Sequence, residues 1–205
     1  MPRVRFERFD TLCNAELFFW QIEESCEELS EQIGDGGILL AEAKERFKSP
    51  GRQREWLAVR ALLQQTPYKG SVLCYSDSGK PCFADGCRFL SISHTDEYVV
   101  VAVSNTPVGI DVETKNRNAY AVMKSFLQPR EIEYVMACDI PADEALLLWS
   151  AKEAAFKLAS DKVTVLKDIC MVPQSGGYKV IYPDGATAVC NVHVLGKFVL
   201  SIAVF

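Results

Sequence analysis

The sequence predicts an α+β fold, arranged as a pseudo-dimer of two similar halves with a cleft between them. Residues 98–103 and 198–203 are apolar runs that each begin with an aromatic residue, about one hundred positions apart. Each run follows a helix-length segment, and no low-complexity stretch or flexible linker separates the two parts of the chain. A turn that ends at Pro107 divides them, so we expect one half in residues 1–107 and the other in 108–205.

The first half is predicted to contain strands, then helices, then further strands. Apolar side chains alternate with charged ones over residues 4–9, which is typical of an edge strand. Ser25 and Glu28 have the spacing of a capping box, so a short helix is expected to start there and to end at Gly34. The remaining predicted elements are a strand at 17–22, helices at 39–47 and 52–65, and strands at 89–94 and 98–103.

The second half is predicted to begin with a strand at 109–113 and to contain one long helix. Residues 142–159 are rich in Leu and Ala and contain no internal Gly or Pro, which indicates a helix that is buried in a core. The remaining predicted elements are short helices at 123–126 and 129–135 and strands at 178–182, 187–194 and 198–205.

The composition argues against several classes of protein. The chain has 205 residues and a net charge of −5, which argues against general nucleic-acid binding. No apolar run approaches the ~20 residues that span a bilayer, and residues 1–8 lack the apolar core of a signal peptide. The eight cysteines are scattered without a Cys-x-x-Cys motif, so we interpret them as small buried residues of a protein in the reducing cytoplasm.

The long helix carries a line of polar side chains on an otherwise apolar surface. Ser150, Glu153 and Lys157 are three and four residues apart, which places them on one face, and Lys152 lies to one side. On spacing alone, a solvent-exposed Glu–Lys pair is the more common explanation. The functional interpretation is a carboxylate and an ammonium aimed into a cleft, and it requires other charged motifs that can meet them there.

Two carboxylates lie side by side in the strand at 109–113. Asp111 and Glu113 are two residues apart, so they point to the same face of the strand. Two like charges raise one another's pKa, and they are favourable only in solvent or around a cation. Hard oxygen ligands of this kind suit Mg²⁺. The alternative is an edge strand with a solvated outer face.

Basic and hydroxyl side chains precede this strand. Arg54 lies in the first turns of the helix at 52–65, where a helix start favours an anion, and Lys80 lies in a Gly-Lys-Pro turn. Ser93 and His94 end a strand, but adjacent strand residues point to opposite sides and no Gly-x-Ser-x-Gly elbow is present, so they do not form a hydrolase dyad. A hydroxyl and an imidazole beside lysines suit phosphate binding better. For most of the arginines, a solvated face remains the alternative.

The motifs follow one another in a characteristic order: an Arg-bearing helix, Gly-Lys-Pro, Ser-His, Gly-x-Asp-x-Glu and Trp-x-x-Lys-Glu-x-x-x-Lys. Over roughly residues 54–157 this order resembles that of the 4′-phosphopantetheinyl transferase superfamily, specifically the larger type that activates surfactin synthetase and related assembly lines. The resemblance implies a pseudo-dimeric α+β fold. It also implies a holo-[acyl-carrier-protein] synthase type of enzyme, which moves the phosphopantetheine arm of coenzyme A onto a serine of an acyl or peptidyl carrier protein and releases 3′,5′-ADP.

The resemblance further implies a role for each motif residue. Asp111, Glu113 and Glu153 would be ligands of Mg²⁺, and Glu153 would also be the candidate base for the carrier serine. Lys157 would contact the pyrophosphate, so Glu153, Lys157 and Asp111 form the expected catalytic set. The other expected coenzyme A contacts are Arg54, Lys80, Ser93 and His94, with Arg54 and His94 near the 3′-phosphate.

Two points remain open on the sequence. Glu131 occupies a place where some family members carry an additional acidic residue, so the base could be Glu153, Glu131 or a metal-bound water. Residues 158–162 read Leu-Ala-Ser-Asp-Lys, where many members have a Gly-Lys-Gly-like turn, and this departure concerns carrier docking.

The expected partners are coenzyme A and an apo-carrier protein, with no nucleic acid and no membrane, and the protein is expected to be a monomer. Two other functions remain as alternatives. One is a Mg²⁺-dependent hydrolase of nucleotide pyrophosphates, with water as the nucleophile. The other is a non-catalytic relative that binds carrier proteins.

Overall fold

Two antiparallel sheets, one from each half of the chain, form the framework of the molecule. The computed structural model describes residues 5–7, 15–159 and 163–205. Within these residues the mixed content of helix and strand confirms the predicted α+β class. Of the helices in these ranges, none is long and apolar enough to cross a membrane.

The described part of the chain contains eleven strands and six α-helices. The strands are β1 Arg5–Glu7, β2 Ala15–Gln21, β3 Leu73–Tyr75, β4 Pro81–Phe83, β5 Phe89–His94, β6 Tyr98–Ser104, β7 Val108–Thr114, β8 Cys170–Gln174, β9 Gly177–Ile181, β10 Thr187–Leu195 and β11 Phe198–Val204. The helices are α1 Cys26–Glu31, α2 Gly36–Arg46, α3 Pro50–Gln64, α4 Met123–Phe126, α5 Pro129–Met136 and α6 Pro141–Ala159.

The chain leaves one sheet and enters the other at a short turn. The first sheet has the strand order β1-β2-β6-β5, and the second has the order β7-β11-β10-β9-β8. A separate two-stranded ribbon is formed by β3 and β4. Strand β6 ends at Ser104 and β7 begins at Val108, so the turn that was predicted to divide the halves also separates the two sheets.

Three apolar clusters cover the sheets from both sides. One cluster packs α3 against the first sheet, another packs α6 against the second, and the third lies between the two sheets. Val99 and Val101 of β6 face the helices, whereas Val100 and Ala102 face the second sheet. Strands that are covered on both faces are continuously apolar instead of alternating, which explains the runs at 98–103 and 198–203.

The edges of the two sheets meet through serine hydroxyls. Ser91 and Ser93 lie on β5, which is an edge strand of the first sheet, and β7 is an edge strand of the second. The backbone N–H of Ile110 donates to Ser91 Oγ at 3.0 Å, and that of Val112 donates to Ser93 Oγ at 3.1 Å. Side-chain oxygens therefore satisfy edge amides that would otherwise be unpaired.

Helix α6 lies directly on the backbone of β7. A Cβ atom on Gly109 would be 2.1 Å from the carbonyl oxygen of Ala154 and 2.5 Å from the backbone nitrogen of Leu158. The glycine of the Gly-x-Asp-x-Glu motif is thus required by this close approach. The approach brings the polar residues of α6 next to the carboxylates of β7.

A buried ion pair fixes the orientation of α6. Lys152 is fully buried, and its Nζ donates to Glu131 Oε2 at 2.7 Å and to the carbonyls of Ile169 at 2.7 Å and Phe126 at 2.9 Å. Glu131 also accepts the backbone N–H of Met171 on Oε1 at 2.8 Å. Burial lowers the pKa of Lys152, and the carboxylate of Glu131 opposes that shift.

The structure corrects several predictions about local elements. Strands β3, β4 and β8 were not predicted, although the turn that holds Lys80 does join β3 to β4. The capping box is confirmed, because Ser25 Oγ accepts from the Glu28 N–H at 3.2 Å and Glu28 returns the bond to the Ser25 N–H at 2.8 Å. Part of the predicted strand at 4–9 and residues 160–162 lie outside the described residues.

The cysteines also differ from the prediction that they are small buried residues. Among the free cysteines of the described ranges, Cys190 alone is buried, and Cys87 is exposed. Those with intermediate exposure are Cys26, Cys74, Cys82, Cys138 and Cys170. Several thiols are therefore accessible to oxidants and other reagents in solution.

The contact between α6 and β7 gives a testable prediction. Gly109→Ala should lower the free energy of unfolding by about 1–3 kcal/mol, because the added methyl group must displace helix backbone. Urea denaturation measures this change. Gly37→Ala in α2 is the matched control, since among the described residues its added Cβ would meet no atom within 4 Å beyond its own helical turn, and alanine favours a helix. Equal effects of the two substitutions would contradict the close packing at Gly109.

Candidate active site

Polar side chains from β5, β7 and α6 meet where the edges of the two sheets come together. Asp111 Oδ1 accepts from Lys157 Nζ at 2.9 Å and from Ser93 Oγ at 3.1 Å. Lys157 Nζ also lies 3.0 Å from Ser93 Oγ. Asp111 is buried and the Lys157 side chain is 29% exposed, so this ion pair lies at the floor of a cleft rather than on an open surface.

The second oxygen of Asp111 is a free acceptor as far as the described residues show. Asp111 Oδ2 is buried, and no group in residues 5–7, 15–159 or 163–205 donates a hydrogen bond to it. A buried acceptor without a donor costs free energy, so this atom is a binding position for a cation or a donated proton. The sequence placed Asp111 in a candidate site, and the structure gives it a specific unfilled contact.

Glu113 lies two residues further along β7 and is in contact with two side chains. Its Oε1 accepts from Trp149 Nε1 at 2.7 Å and forms an ion pair with Arg117 at 3.1 Å. The guanidinium of Arg117 lies over the Trp149 ring, 4.2 Å from its centroid. Burial, and next the charge of Asp111, raise the pKa of Glu113 to about 7, against the lowering effects of Trp149 and Arg117.

Glu153 reaches the same region from α6. Burial, and next the charge of Asp111, raise the pKa of Glu153, while Lys157 and Arg117 lower it. Three carboxylates therefore repel one another in a half-buried place. Lys157 and Arg117 offset part of that repulsion.

The donor set fits a divalent cation, although its present arrangement is not a closed ligand set. Among the described residues, no three carboxylate, imidazole or thiol groups stand in an arrangement that would hold a metal ion. Lys157 instead supplies the positive charge beside Asp111. Raised carboxylate pKa values and the unpartnered Asp111 Oδ2 are what a hard cation with oxygen ligands would satisfy.

His94 follows Ser93 and joins the site to α3. Its Nε2 lies 3.1 Å from an Nη of Arg52, which can only donate, so Nδ1 carries the proton toward Glu55 Oε2 at 3.4 Å. Burial lowers the pKa of His94 to about 4, and the charges of Arg52 and Lys157 add to this shift. The imidazole is therefore neutral at pH 7, and Arg52 provides the charge beside it.

Arg54 is directed elsewhere. One of its Nη atoms donates to the carbonyl of Asp96 at 3.1 Å, and its buried Nε has no hydrogen-bond partner in the part of the chain that the structure describes. Arg52, in contrast, lines a polar cavity of about 480 Å³ together with His94, Asp111, Glu113 and Arg117. Arg54 was the arginine expected at the site from the sequence, no role was expected for Arg52 or Arg117, and Trp149 was noted only as the first residue of its motif. Two sequence spacings could have indicated these arginines. Arg52 and Glu55 are three residues apart, and Glu113 and Arg117 are four residues apart.

A second cavity lies on the other side of Lys157. It has a volume of about 590 Å³ and is lined by Lys80 and Lys157 together with mainly apolar neighbours. The wall includes Leu90, Ile92 and Phe156. Lys157 thus lines the apolar cavity and is paired with Asp111, which lines the polar one.

Two polar residues from the predicted motifs lie outside this arrangement. Both oxygens of Glu131 are engaged by Lys152 and by the backbone N–H groups of Gln128 and Met171. Ser150 is fully buried, although its spacing placed it in line with Glu153 and Lys157. The line of polar residues on α6 therefore enters the cleft only from Glu153 onward.

Comparison with known proteins agrees with the resemblance that the motifs suggested. Residues 107–203 match the family model of the 4′-phosphopantetheinyl transferase superfamily. The 4′-phosphopantetheinyl transferase gsp of Aneurinibacillus migulanus is 32% identical over 106 residues, which cover 49% of this chain and 44% of that protein. The 4′-phosphopantetheinyl transferase Sfp of Bacillus subtilis (strain 168) is 30% identical over 111 residues, which cover 52% and 50%.

The chain spans about half the length of the curated relatives it matches. A crystal structure of Thermotoga maritima holo-[acyl-carrier-protein] synthase is also similar, with a TM-score of 0.41 and 16% sequence identity. That similarity covers 48% of this chain and 61% of the other.

The pKa of Glu113 predicts a dependence of stability on pH. A carboxyl whose pKa rises from 4.5 in the unfolded chain to about 7 in the folded one keeps its proton on folding, so its contribution is lost as pH rises between these values. Glu113→Gln stays neutral and keeps an oxygen for Trp149. The variant should therefore gain stability over the wild type between pH 5 and pH 8, by up to about 3 kcal/mol.

Urea denaturation at the two pH values measures the effect. Glu45→Gln, at an exposed position on α2, is the control for the substitution itself. Parallel pH profiles for the wild type and Glu113→Gln would show that Glu113 titrates as an ordinary exposed carboxyl.

Proposed function

We propose that the chain is a 4′-phosphopantetheinyl transferase, because residues 107–203 match the model of that superfamily. It moves the 4′-phosphopantetheine arm of coenzyme A onto a serine hydroxyl of an acyl or peptidyl carrier protein and releases 3′,5′-ADP. The observation that carries the proposal is the Asp111–Lys157 pair, which joins a polar cavity to an apolar one.

The two cavities suit the two unlike parts of coenzyme A. The nucleotide end carries the 3′-phosphate and the pyrophosphate, and Arg52, His94 and Arg117 line the polar cavity that would receive it. The pantetheine arm is long and less polar, as is the cavity beside Phe156 and Lys80. The pyrophosphate, where the bond breaks, would then lie at Lys157.

The reaction requires positioning and charge neutralisation more than covalent chemistry. The serine oxygen attacks the phosphorus that carries the pantetheine arm, and the bond to the leaving 3′,5′-ADP breaks. Lys157 donates to the pyrophosphate oxygens on which negative charge develops. Asp111, Glu113 and Glu153 would hold Mg²⁺, which supplies further neutralisation of the phosphate charge when it is bound.

We assign Glu153 as the group that takes the serine proton. Its carboxylate is half-buried and has a raised pKa, which brings a carboxyl closer to the pH at which a general base works best. Glu131, the other side-chain candidate, is occupied by Lys152 and two backbone donors in the core. Its role in this proposal is to hold α6, and thereby to hold Glu153.

The architecture belongs to the same proposal. We take residues 1–107 and 108–205 as the two halves of a pseudo-dimer that acts as a monomer, with each half supplying one sheet to the cleft. Lys80, Ser93, His94 and Arg54 come from the first half, and the carboxylates come from the second. The protein would act in the cytoplasm, where coenzyme A and newly made carrier proteins are found.

The activity is tested by intact mass measurement. A panel of apo acyl and peptidyl carrier proteins is incubated with the protein, coenzyme A and Mg²⁺, and at least one carrier should gain the mass of one phosphopantetheine group. EDTA and Asp111→Ala should each lower the rate on the order of 10³-fold, since a bound metal contributes several kcal/mol to the transition state. Coenzyme A cleavage without carrier modification would indicate a hydrolase. Carrier binding without cleavage would indicate a non-catalytic relative.

The position of Arg52 predicts how the 3′-phosphate is recognised. Arg52→Ala should raise the KM for coenzyme A about tenfold to a hundredfold, since a charge-assisted contact contributes roughly 1.5–3 kcal/mol, and should affect dephospho-coenzyme A much less. Arg54→Ala is the matched comparison from the same helix, and its effect should be smaller because Asp96 holds its guanidinium. A selective loss with Arg54→Ala alone would return the assignment to Arg54.

A further inference from the structure

Two cysteines lie directly opposite one another in the small ribbon formed by β3 and β4. Cys74 and Cys82 are paired in its antiparallel register. The ribbon has three residues in each strand, and its turn holds Gly79 at a φ of 80°. Opposed residues of an antiparallel pair present their side chains on the same face.

The two thiols share the outer face of this ribbon. Leu73 and Phe83, the neighbouring opposed pair, pack into the core of the first half, so the cysteines between them and the turn face the other way. Both have intermediate exposure, and Cys82 lines a cavity of about 250 Å³. The Sγ of Cys74 lies 3.9 Å from the carbonyl of Val72, the residue just before its strand.

The Cα spacing of the ladder matches that of disulfides, and a bond would require the Cβ atoms, about 5.5 Å apart in a hydrogen-bonded pair, to approach by about 1 Å. The N–H of Ser76 donates to the Lys80 carbonyl at 2.9 Å, and the N–H of Ala84 donates to the Val72 carbonyl at 2.9 Å. These bonds alternate along the ladder, which makes Cys74 and Cys82 a hydrogen-bonded pair. The Cα atoms of such a pair are about 5.5 Å apart, close to the commonest separation in disulfides.

We propose that Cys74 and Cys82 are a disulfide-forming pair that is oxidised by hydroperoxides and restored by thiols. The thiolate of Cys82 attacks a peroxide oxygen, gives a sulfenic acid and releases water. Cys74 then attacks that sulfur, the S–S bond forms, and the hydroxyl leaves as a second water. Two thiols and one hydrogen peroxide thus give one disulfide and two waters.

The bond would stiffen a wall of the large cavity. The turn between the two strands contributes Ser78, Gly79 and Lys80 to the cavity of about 590 Å³. A ribbon of this size is marginally stable by itself, so a covalent link between its strands restricts the turn that they carry. The oxidised and reduced forms therefore differ in the freedom of this wall.

A third thiol provides the competing reaction. Cys87 is exposed and follows the turn at Gly86, with its Sγ 3.7 Å from the carbonyl of Asp85. It has no opposed partner in the ribbon register. Pairing of Cys82 with Cys87 would therefore require a rearrangement that pairing with Cys74 does not.

Peptide mapping distinguishes the three thiols. The protein is treated with hydrogen peroxide under native conditions, free thiols are alkylated, and the chain is cut on the amino side of aspartates. Cleavage before Asp77 and Asp85 places Cys74, Cys82 and Cys87 on separate peptides, 35–76, 77–84 and 85–95. We expect 35–76 to be linked to 77–84, with the link lost after dithiothreitol. Trypsin would not separate Cys74 from Cys82, because the Lys80 bond precedes Pro81.

Two variants and one exchange measurement complete the test. Cys87→Ser should leave the link intact and Cys74→Ser should abolish it. Amide hydrogen exchange in 77–84 should slow in the oxidised wild type and not in peroxide-treated Cys74→Ser. A link between 77–84 and 85–95, or oxidation of Cys74 and Cys82 without any link, would overturn the pairing. An unchanged exchange rate in the linked protein would overturn the stiffening of the turn.

Discussion

The arrangement of this molecule depends on one hydroxyl group at the junction of its two sheets. Ser93 Oγ accepts the N–H of Val112, donates to Asp111 and contacts Lys157, so a single atom joins β5, β7 and α6. Two sheet edges that paired through a backbone ladder would leave no place for charged side chains between them. Pairing through serine side chains satisfies the amides and also brings Asp111 and Lys157 together. Fold and candidate chemistry thus share the same contacts.

Lys152 is fully buried in the core, whereas the adjacent Glu153 is half-buried at the cleft. This difference shows how far the sequence could predict the site. The apolar strands and the long helix follow from periodicity. The common site of Asp111, Glu113, Glu153 and Lys157 was implied by the resemblance of the motifs to a known family. The burial of Lys152 does not, because its partner Glu131 is distant in sequence and periodicity assigns a face without assigning what packs on it. Periodicity also could not tell Arg52 from Arg54, because both lie in one turn of α3. They differ in that the guanidinium of Arg54 donates to the carbonyl of Asp96.

The small elements escaped prediction for a different reason. Strands β3 and β4 have three residues each, which is too short for an alternating pattern to be recognised, and their pairing is set by the turn between them. The cysteines were interpreted by residue type, and only the register shows that two of them are opposed. The charged site also costs folding free energy that local sequence patterns do not predict. It holds three carboxylates close together, and the pKa values of Glu113 and Glu153 are raised. Such local conflicts are expected where a protein binds or acts on a ligand.

The apolar layer between the two sheets limits how the two halves can move apart or be separated. Its buried members come from both halves: Ala15, Leu17, Val100, Ala102, Val108, Ile110, Val112, Leu200 and Ile202. A hinge-like opening would expose this layer to water, so entry into the cleft has to depend on local movements of side chains and turns. Either half produced as a separate polypeptide would expose the apolar face that the other half covers in this structure. The two fragments are in this respect natural complements, suited to being made separately and reassembled without a covalent link.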